Sequence, residues 1–192
     1  MNDQQPWLKL PELIRTDRLE LRAPSPAQAW ELRQAIWDSI DALRPWMPWA
    51  KEVPTQQTAE ANLRKARERW DAGEDMRVSV FLKGTDILVG SSGLHEPDWA
   101  VPRFEIGYWI RTGFTGKGYA TETVRALSEL ALGALGANRV EILVSTQNVA
   151  SCRVALAAGF TLEATLRNHE RHLDGTLRDT AILAKLATPP TL

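Results

Sequence analysis

The chain predicts a mixed α/β fold: one sheet of about seven strands with about four helices packed against it. Three observations carry that expectation. Residues 104–122, FEIGYWIRTGFTGKGYATE, read as a strand, a glycine loop and the opening of an amphipathic helix. Alternating or continuous apolar stretches at 18–22, 76–82 and 86–94 have the lengths and turn-rich borders of strands. Helical and strand-like segments interleave over the whole length with no repeat and no linker, so a single sheet has to accommodate them.

Taken in order, Arg18-Leu-Glu-Leu-Arg22 alternates charged and apolar residues, and Pro24 and Pro26 stop it. A helix follows to about residue 37, with Ala29, Trp30, Leu32, Ile36 and Trp37 as its apolar positions. Arg44-Pro-Trp-Met-Pro-Trp49 comes next. Two prolines within five residues preclude a regular helix, which leaves a rigid aromatic loop. Residues 55–72 are polar, strongly helical and closed by Gly73. Residues 76–82 and 86–94 form a hairpin about Lys83-Gly84-Thr85. Another strand at 103–110 places Phe104, Ile106, Tyr108 and Ile110 on one face. From about 119 to 135 a helix carries Ala120, Val124, Leu127, Ala131 and Leu135 at helical spacing and closes at Gly136. A short buried strand at 140–144 precedes a helix at 148–158 that ends at Gly159. Two last strands, 160–170 and 176–187, turn at Asp174-Gly175.

Bulk properties exclude several classes of function. A chain of 192 residues suits one domain spanning 1–192. Hydrophobic residues at 44% and charged residues at 24% are ordinary for a soluble globular protein. A net charge of −1 argues against binding nucleic acid or a membrane surface by bulk electrostatics. The single cysteine, Cys152, rules out an intrachain disulfide and suits a reducing compartment. Neither a signal-peptide pattern nor an apolar run long enough to span a bilayer is present, and a cytoplasmic location is expected. All eight tryptophans fall in the first 109 residues. Packing accounts for most of them, but Trp46 and Trp49 in the rigid loop can equally wall a ligand pocket or form a homodimer contact.

The glycine loop carries the strongest chemical signal. Glycines between a strand and a helix N-terminus leave backbone N–H groups uncovered where the helix dipole adds positive charge, which makes a phosphate cradle. A dinucleotide fingerprint fails because Thr121 stands where the third glycine belongs. A nucleotide P-loop fails because Gly116-Lys117 is followed by Gly118 and the leading position is Arg111. Thr115-Gly-Lys-Gly118-Tyr-Ala120 instead resembles the pyrophosphate loop of the GNAT superfamily of acetyl-CoA-dependent N-acetyltransferases, (Gln/Arg)-x-x-Gly-x-(Gly/Ala). It departs only at Thr115. The element order resembles the GNAT fold over nearly the whole chain. That implies a mixed, mostly antiparallel sheet splayed between its fourth and fifth strands, here about 103–110 and 140–144, where a pantetheine arm pairs with a free strand edge.

Asn148-Val-Ala-Ser151 followed by Gly159-Phe160 resembles the N-x-x-S…G-F signature of the ribosomal-protein N-terminal (Rim-type) acetyltransferases within that superfamily. The resemblance implies acetyl-CoA as co-substrate, with Ile110, Arg111 and residues Thr115, Gly116, Lys117, Gly118, Tyr119, Ala120 and Thr121 around it. It also implies that Asn148 braces the coenzyme arm and that Ser151 lies near the thioester sulfur. Asn148 is equally readable as a helix N-cap. Transfer to an amine needs a base, because an α-amino group near its ordinary pKa of about 7.7–8.0 is mostly protonated at neutral pH. Glu170 matches the Rim-type glutamate credited with activating a water, and Glu105 is the alternative. A strand-edge amide near Ile110 would meet the oxyanion, and Ser151 would protonate the leaving thiolate. The resemblance implies a protein or peptide N-terminus as acceptor, met by Trp46, Trp49 and Trp99; small amines, or acetyl-CoA sensing without transfer, are the alternatives. Lys117 and Arg111 are read either as phosphate partners or as solvated loop charges, and Arg153 as a reach to the 3′-phosphate. His169-Glu-Arg-His172 has the wrong spacing for the zinc motif, so no metal is expected. Cys152 points about 100° away from Ser151 on a helix and is expected in the core.

Overall fold

The computed structural model describes residues 10–172 and 175–187. Its strands are β1 (Leu13–Arg15), β2 (Leu19–Arg22), β3 (Met76–Leu82), β4 (Leu88–Asp98), β5 (Arg103–Ile110), β6 (Arg139–Ser145), β7 (Thr161–Arg171) and β8 (Leu177–Leu186). The helices are α1 (Ala29–Trp37), α2 (Ile40–Leu43), α3 (Gln56–Asp71), α4 (Tyr119–Leu132) and α5 (Val149–Ala157). All described strands join one sheet in the order β1-β2-β3-β4-β5-β6-β8-β7. Neighbours are antiparallel except β5 and β6, which α4 connects in parallel.

That parallel pair is the structural decision on which the site depends. β5 and β6 are in register only at Arg103↔Arg139, Phe104↔Val140 and Glu105↔Glu141. Beyond Glu105 the ladder stops while both strands continue, so the edges of residues 106–110 and 142–145 face a gap. The splay falls between the segments expected from the sequence. They are the fifth and sixth strands, because the short β1 was not anticipated.

Two apolar clusters cover the faces of the sheet. One contains Leu21, Val78, Ile106, Val124, Leu127 and Ile142 beneath α4. The other joins Leu32, Ile36, Leu63, Phe81 and Trp109 beneath α1 and α3. Removing these groups from water drives the layers together at roughly 25 cal/mol per Å² of apolar area.

Several boundaries differ from expectation for local reasons. The four-residue α2 is missing from the sequence reading because so short an element has no periodicity. Helix α4 closes at Gly133, not Gly136, since Gly133 leaves helical torsions at φ −92 and ψ −89. Leu135 N–H and Ala137 N–H then satisfy the carbonyls of Leu130 and Ala131. Of the expected turn Asp174-Gly175, Asp174 lies outside the described residues, as does Trp7. Trp70 and Trp109 are core residues, whereas Trp30 and Trp37 lie exposed on α1. Two turns of helix separate them, so they share a face, and that face is turned to solvent.

Candidate active site

The loop after β5 is built for an anion. Gly113, Gly116 and Gly118 all adopt left-handed torsions, φ 90, 73 and 81. Gly118 is the N-cap of α4 and has no side chain to fill the cap. The N–H groups of residues 115–121 consequently donate to no acceptor among the described residues, and the first helical bond returns from Glu122 to the Gly118 carbonyl. A row of free donors at the positive end of a 14-residue helix attracts phosphate.

A contact between distant parts of the chain holds that loop. Arg18, in the turn before β2, donates from Nη1 to the Lys117 carbonyl (2.9 Å) and from Nε to Glu122 Oε2 (2.7 Å). Its guanidinium also lies 4.9 Å from the Tyr119 ring centroid. The Glu122 carboxylate further accepts from Thr16 Oγ1 and the Arg18 N–H. Hydrogen bonds from Thr16 and Arg18 hold its pKa low against the opposing effect of burial.

The gap between β5 and β6 continues from this loop as a cleft of about 760 Å³. Ile110, Thr115, Gly116, Gly118, Tyr119, Ala120, Thr121, Asn148, Ser151 and Arg153 line it. Arg111 N–H donates to the Val89 carbonyl at 2.8 Å, so strand alternation turns the Ile110 N–H toward the open edge. Asn148 caps α5 by accepting the Ser151 N–H at 3.1 Å. Across the gap, the Tyr108 hydroxyl lies 2.8 Å from Ser151 Oγ and donates to the Ser151 carbonyl at 2.9 Å. Burial is the main reason that the Tyr108 hydroxyl is pushed up to about 12, opposed by its bond to Ser151. The sequence reading used Tyr108 only as a strand-face residue. The signal available was its alignment with Ile106 and Ile110 on the face that the splay exposes.

Two carboxylates reach the cleft from opposite walls. Glu105 ends the paired part of β5, and burial raises its pKa, with the negative charges of Glu141, Glu96 and Glu170 adding to the rise and His95 opposing it. Glu170 projects from β7, opposite Arg178 of β8. Its placement depends on a bulge. The register moves from Leu166↔Thr180 to Glu170↔Arg178, which inserts two extra residues on β7, with Asn168 at φ 52. An insertion of two preserves the face, so Glu170 still points into the cleft.

The remaining candidates are distributed more widely. Trp46 lines the cleft and lies under Arg178, whose Cζ is 5.2 Å from its ring. The Pro45 carbonyl accepts from His172 Nε2 (2.6 Å) and Arg178 Nη1 (3.2 Å), fastening the aromatic loop to β8 and to the residue that follows β7. Trp49 borders an adjoining cavity and meets Trp109 at 6.1 Å. Trp99 stays out of both, because its ring packs edge-on against Phe104 at the far end of β5. Arg111 is likewise drawn away, with Nε 2.8 Å from Asp38 Oδ2. Lys117 lies over the Phe114 ring, Nζ 5.0 Å from the centroid. Cys152, half-buried, packs on the core beneath α4. His169 Nδ1 is 3.1 Å from Thr180 Oγ1, and among the described residues no cluster of three or more His, Cys, Asp or Glu is placed to hold a metal.

Comparison with known proteins places this geometry. The family model for the acetyltransferase (GNAT) domain matches residues 18–161. The Uncharacterized N-acetyltransferase YoaA of Bacillus subtilis (strain 168) is 33% identical over 170 residues, 88% of this chain and 94% of that relative. The Uncharacterized N-acetyltransferase p20 of Bacillus licheniformis is 33% identical over 99 residues, 52% of this chain and 56% of its own length. Among solved structures, the microcin C7 self-immunity acetyltransferase MccE in complex with acetyl-CoA and AMP superposes with a TM-score of 0.84 at 26% identity, over 92% of this chain and 97% of its own. The ribosomal L7/L12 α-N-protein acetyltransferase RimL in complex with coenzyme A shares the fold at a TM-score of 0.84 and 23% identity, over 91% of this chain and 98% of its own. The splayed sheet, the uncapped glycine loop and these matches lead to one conclusion: the chain belongs to the GNAT acetyltransferase family and is an N-acetyltransferase.

Proposed function

We propose that the enzyme transfers acetyl from acetyl-CoA directly to the α-amine of a protein or peptide N-terminus. The observation that carries this reading is the convergence of Glu105, Glu170, Ser151 and Tyr108 on one cleft beside the glycine loop. The loop amides of residues 115–121 suit the pyrophosphate, and the free edge of β5 suits the pantetheine arm. The likeness to RimL, named for its action on a ribosomal-protein N-terminus, supports an N-terminal acceptor.

The chemistry follows from the positions of these groups. The acceptor arrives as an ammonium, which two carboxylates facing one cleft attract. Glu170 takes its proton through water, and Glu105 holds the ammonium beforehand. The nitrogen lone pair attacks the thioester carbonyl, and the Ile110 N–H stabilises the oxyanion. As the tetrahedral intermediate collapses, the C–S bond breaks and the thiolate takes a proton from the Ser151 hydroxyl, which Tyr108 resupplies by turning its O–H from the Ser151 carbonyl to Oγ; the nitrogen sheds its second proton to water, from which Tyr108 regains its own. No acyl-enzyme is formed.

Intact-mass detection of acetyl transfer to lysine-containing peptides with free or blocked N-termini tests the acceptor. Modification of only the free-N-terminus peptides is expected. Acetylation of a polyamine or free amino acid alone would move the function to small amines.

A further inference from the structure

The sheet face beneath α1 and α3 carries a row of residues that the transfer chemistry leaves unused. Cross-strand register puts Arg77 of β3 beside Gly93 of β4, and Gly93 beside Gly107 of β5. Paired residues share a face, so a cation is followed by two positions without side chains. Gly93 is required there: a Cβ would lie 2.7 Å from His95 Cε1 and 2.8 Å from Arg77 Cα. Above the row is a cavity of about 480 Å³. It joins the coenzyme cleft through Met47, Gly107, Tyr108 and Trp109, which line both.

Arg77 lines this cavity with little to neutralise it. Its Nε donates to Ser91 Oγ over a long 3.4 Å, and it forms no ion pair among the described residues. Asp75, two residues away, is already engaged by His95 Nδ1 at 2.8 Å and Arg69 Nη1 at 3.0 Å. Two other arginines of the sheet, Arg22 and Arg139, do have carboxylate partners. Loss of surrounding water pulls the Arg77 pKa below the ordinary arginine value, against the pull of Asp75. A desolvated guanidinium facing an open cavity is unfavourable until an anion meets it, and its planar fork matches carboxylate and phosphate. The other titratable residues on the cavity wall are Glu52, His95 and Tyr108.

We propose that Arg77 recognises an anionic group, carboxylate or phosphate, borne by the acceptor close to its reacting amine. This assignment rests on the acceptor reading above. Neighbouring strands lie about 4.8 Å apart, so the Arg77 backbone is roughly 10 Å from Gly107 at the cleft. At about 3.3–3.6 Å per extended residue, the anion falls within the first two or three residues of a peptide. An acidic side chain there, or the carboxylate of a free amino acid, provides the same chemistry.

The test compares acceptors that differ only in charge: peptides with Asp against Asn at position two, a peptide phosphorylated or not on a serine there, and serine against serinamide. Wild type, Arg77→Met and Arg77→Lys are assayed with each. Wild type should favour the anionic member of at least one pair by about 10-fold in kcat/KM, the worth of one charge-assisted hydrogen bond. The pair that responds separates peptide from free amino acid and carboxylate from phosphate. Arg77→Met should bring that ratio near one through KM, and Arg77→Lys should retain most of it. Equal use of both members of every pair by wild type overturns the assignment, even if Arg77→Met does not fold, as does a preference that survives in Arg77→Met. Transfer without charge preference leaves the transferase reading intact. Transfer to none of the acceptors, with acetyl-CoA still bound, overturns the acceptor reading and this one with it.

Discussion

The Tyr108 hydroxyl lies 2.8 Å from Ser151 Oγ and 2.9 Å from the Ser151 carbonyl, joining β5 to α5 across the splay of the sheet. Two hydrogen bonds of one hydroxyl thus span the gap in which the thioester is to react. The bond to Oγ aligns two hydroxyls as a relay, and the raised Tyr108 pKa keeps its proton available at neutral pH.

Tyr108→Phe should therefore lower kcat about 10²-fold, at the lower end of the range for losing an acid–base group. Ser151→Ala should cost less, because Tyr108 remains. The double variant should lose less than the product of the two single losses, since both act on one proton. Steady-state kinetics of the three proteins check this, and multiplicative losses would show that the two hydroxyls act separately.

Glu170→Gln is expected to cut turnover at least ~10-fold while leaving acetyl-CoA affinity intact. Glu105→Gln should act mainly on KM for the acceptor. Calorimetric titration with acetyl-CoA beside turnover measurements distinguishes them. If Glu170→Gln loses acetyl-CoA binding as well, its role is structural.

Stability should respond to Glu105 in a pH-dependent way. Burial raises its pKa in the folded state above the unfolded value. The folded protein therefore carries no penalty while the group is protonated in both states, and loses stability as pH rises through the folded pKa. Glu105→Gln should accordingly raise Tm at pH 8 and change it little at pH 4. Thermal melts at the two pH values check the sign.

Arg18 braces the phosphate loop through the Lys117 carbonyl and Glu122. Its side chain is half exposed, so the ion pair itself is modest. Arg18→Ala should raise the acetyl-CoA Kd about 2- to 5-fold with kcat retained. Gly118→Ala should be more severe. At φ 81 a side chain costs about 1–2 kcal/mol, and its Cβ would approach Arg18 Nη2 to 3.3 Å. Titration of acetyl-CoA into each variant gives the comparison.

The order of elements and the glycine loop could be read from the sequence because both are local. Alternation in Leu19–Arg22, helical spacing in Tyr119–Leu132 and the positive φ demanded at Gly116 and Gly118 concern residues close together in the chain. The anion-binding character of the loop and the capping role of Asn148 follow from the same short stretches. What brought Tyr108 to Ser151, Arg18 to Glu122 and Pro45 to Arg178 was the packing of segments 43, 104 and 133 residues apart. Such contacts depend on the register of β4 with β5, the point where β5 leaves β6 and the bulge that carries Glu170. Tertiary packing also drew Trp99 to Phe104 and Arg111 to Asp38, since a tryptophan gains most by burying its ring and an arginine by meeting a carboxylate. Residue type determined which chemistry was available. Strand register, set by burial of apolar side chains across the whole sheet, determined which of those groups face the cleft.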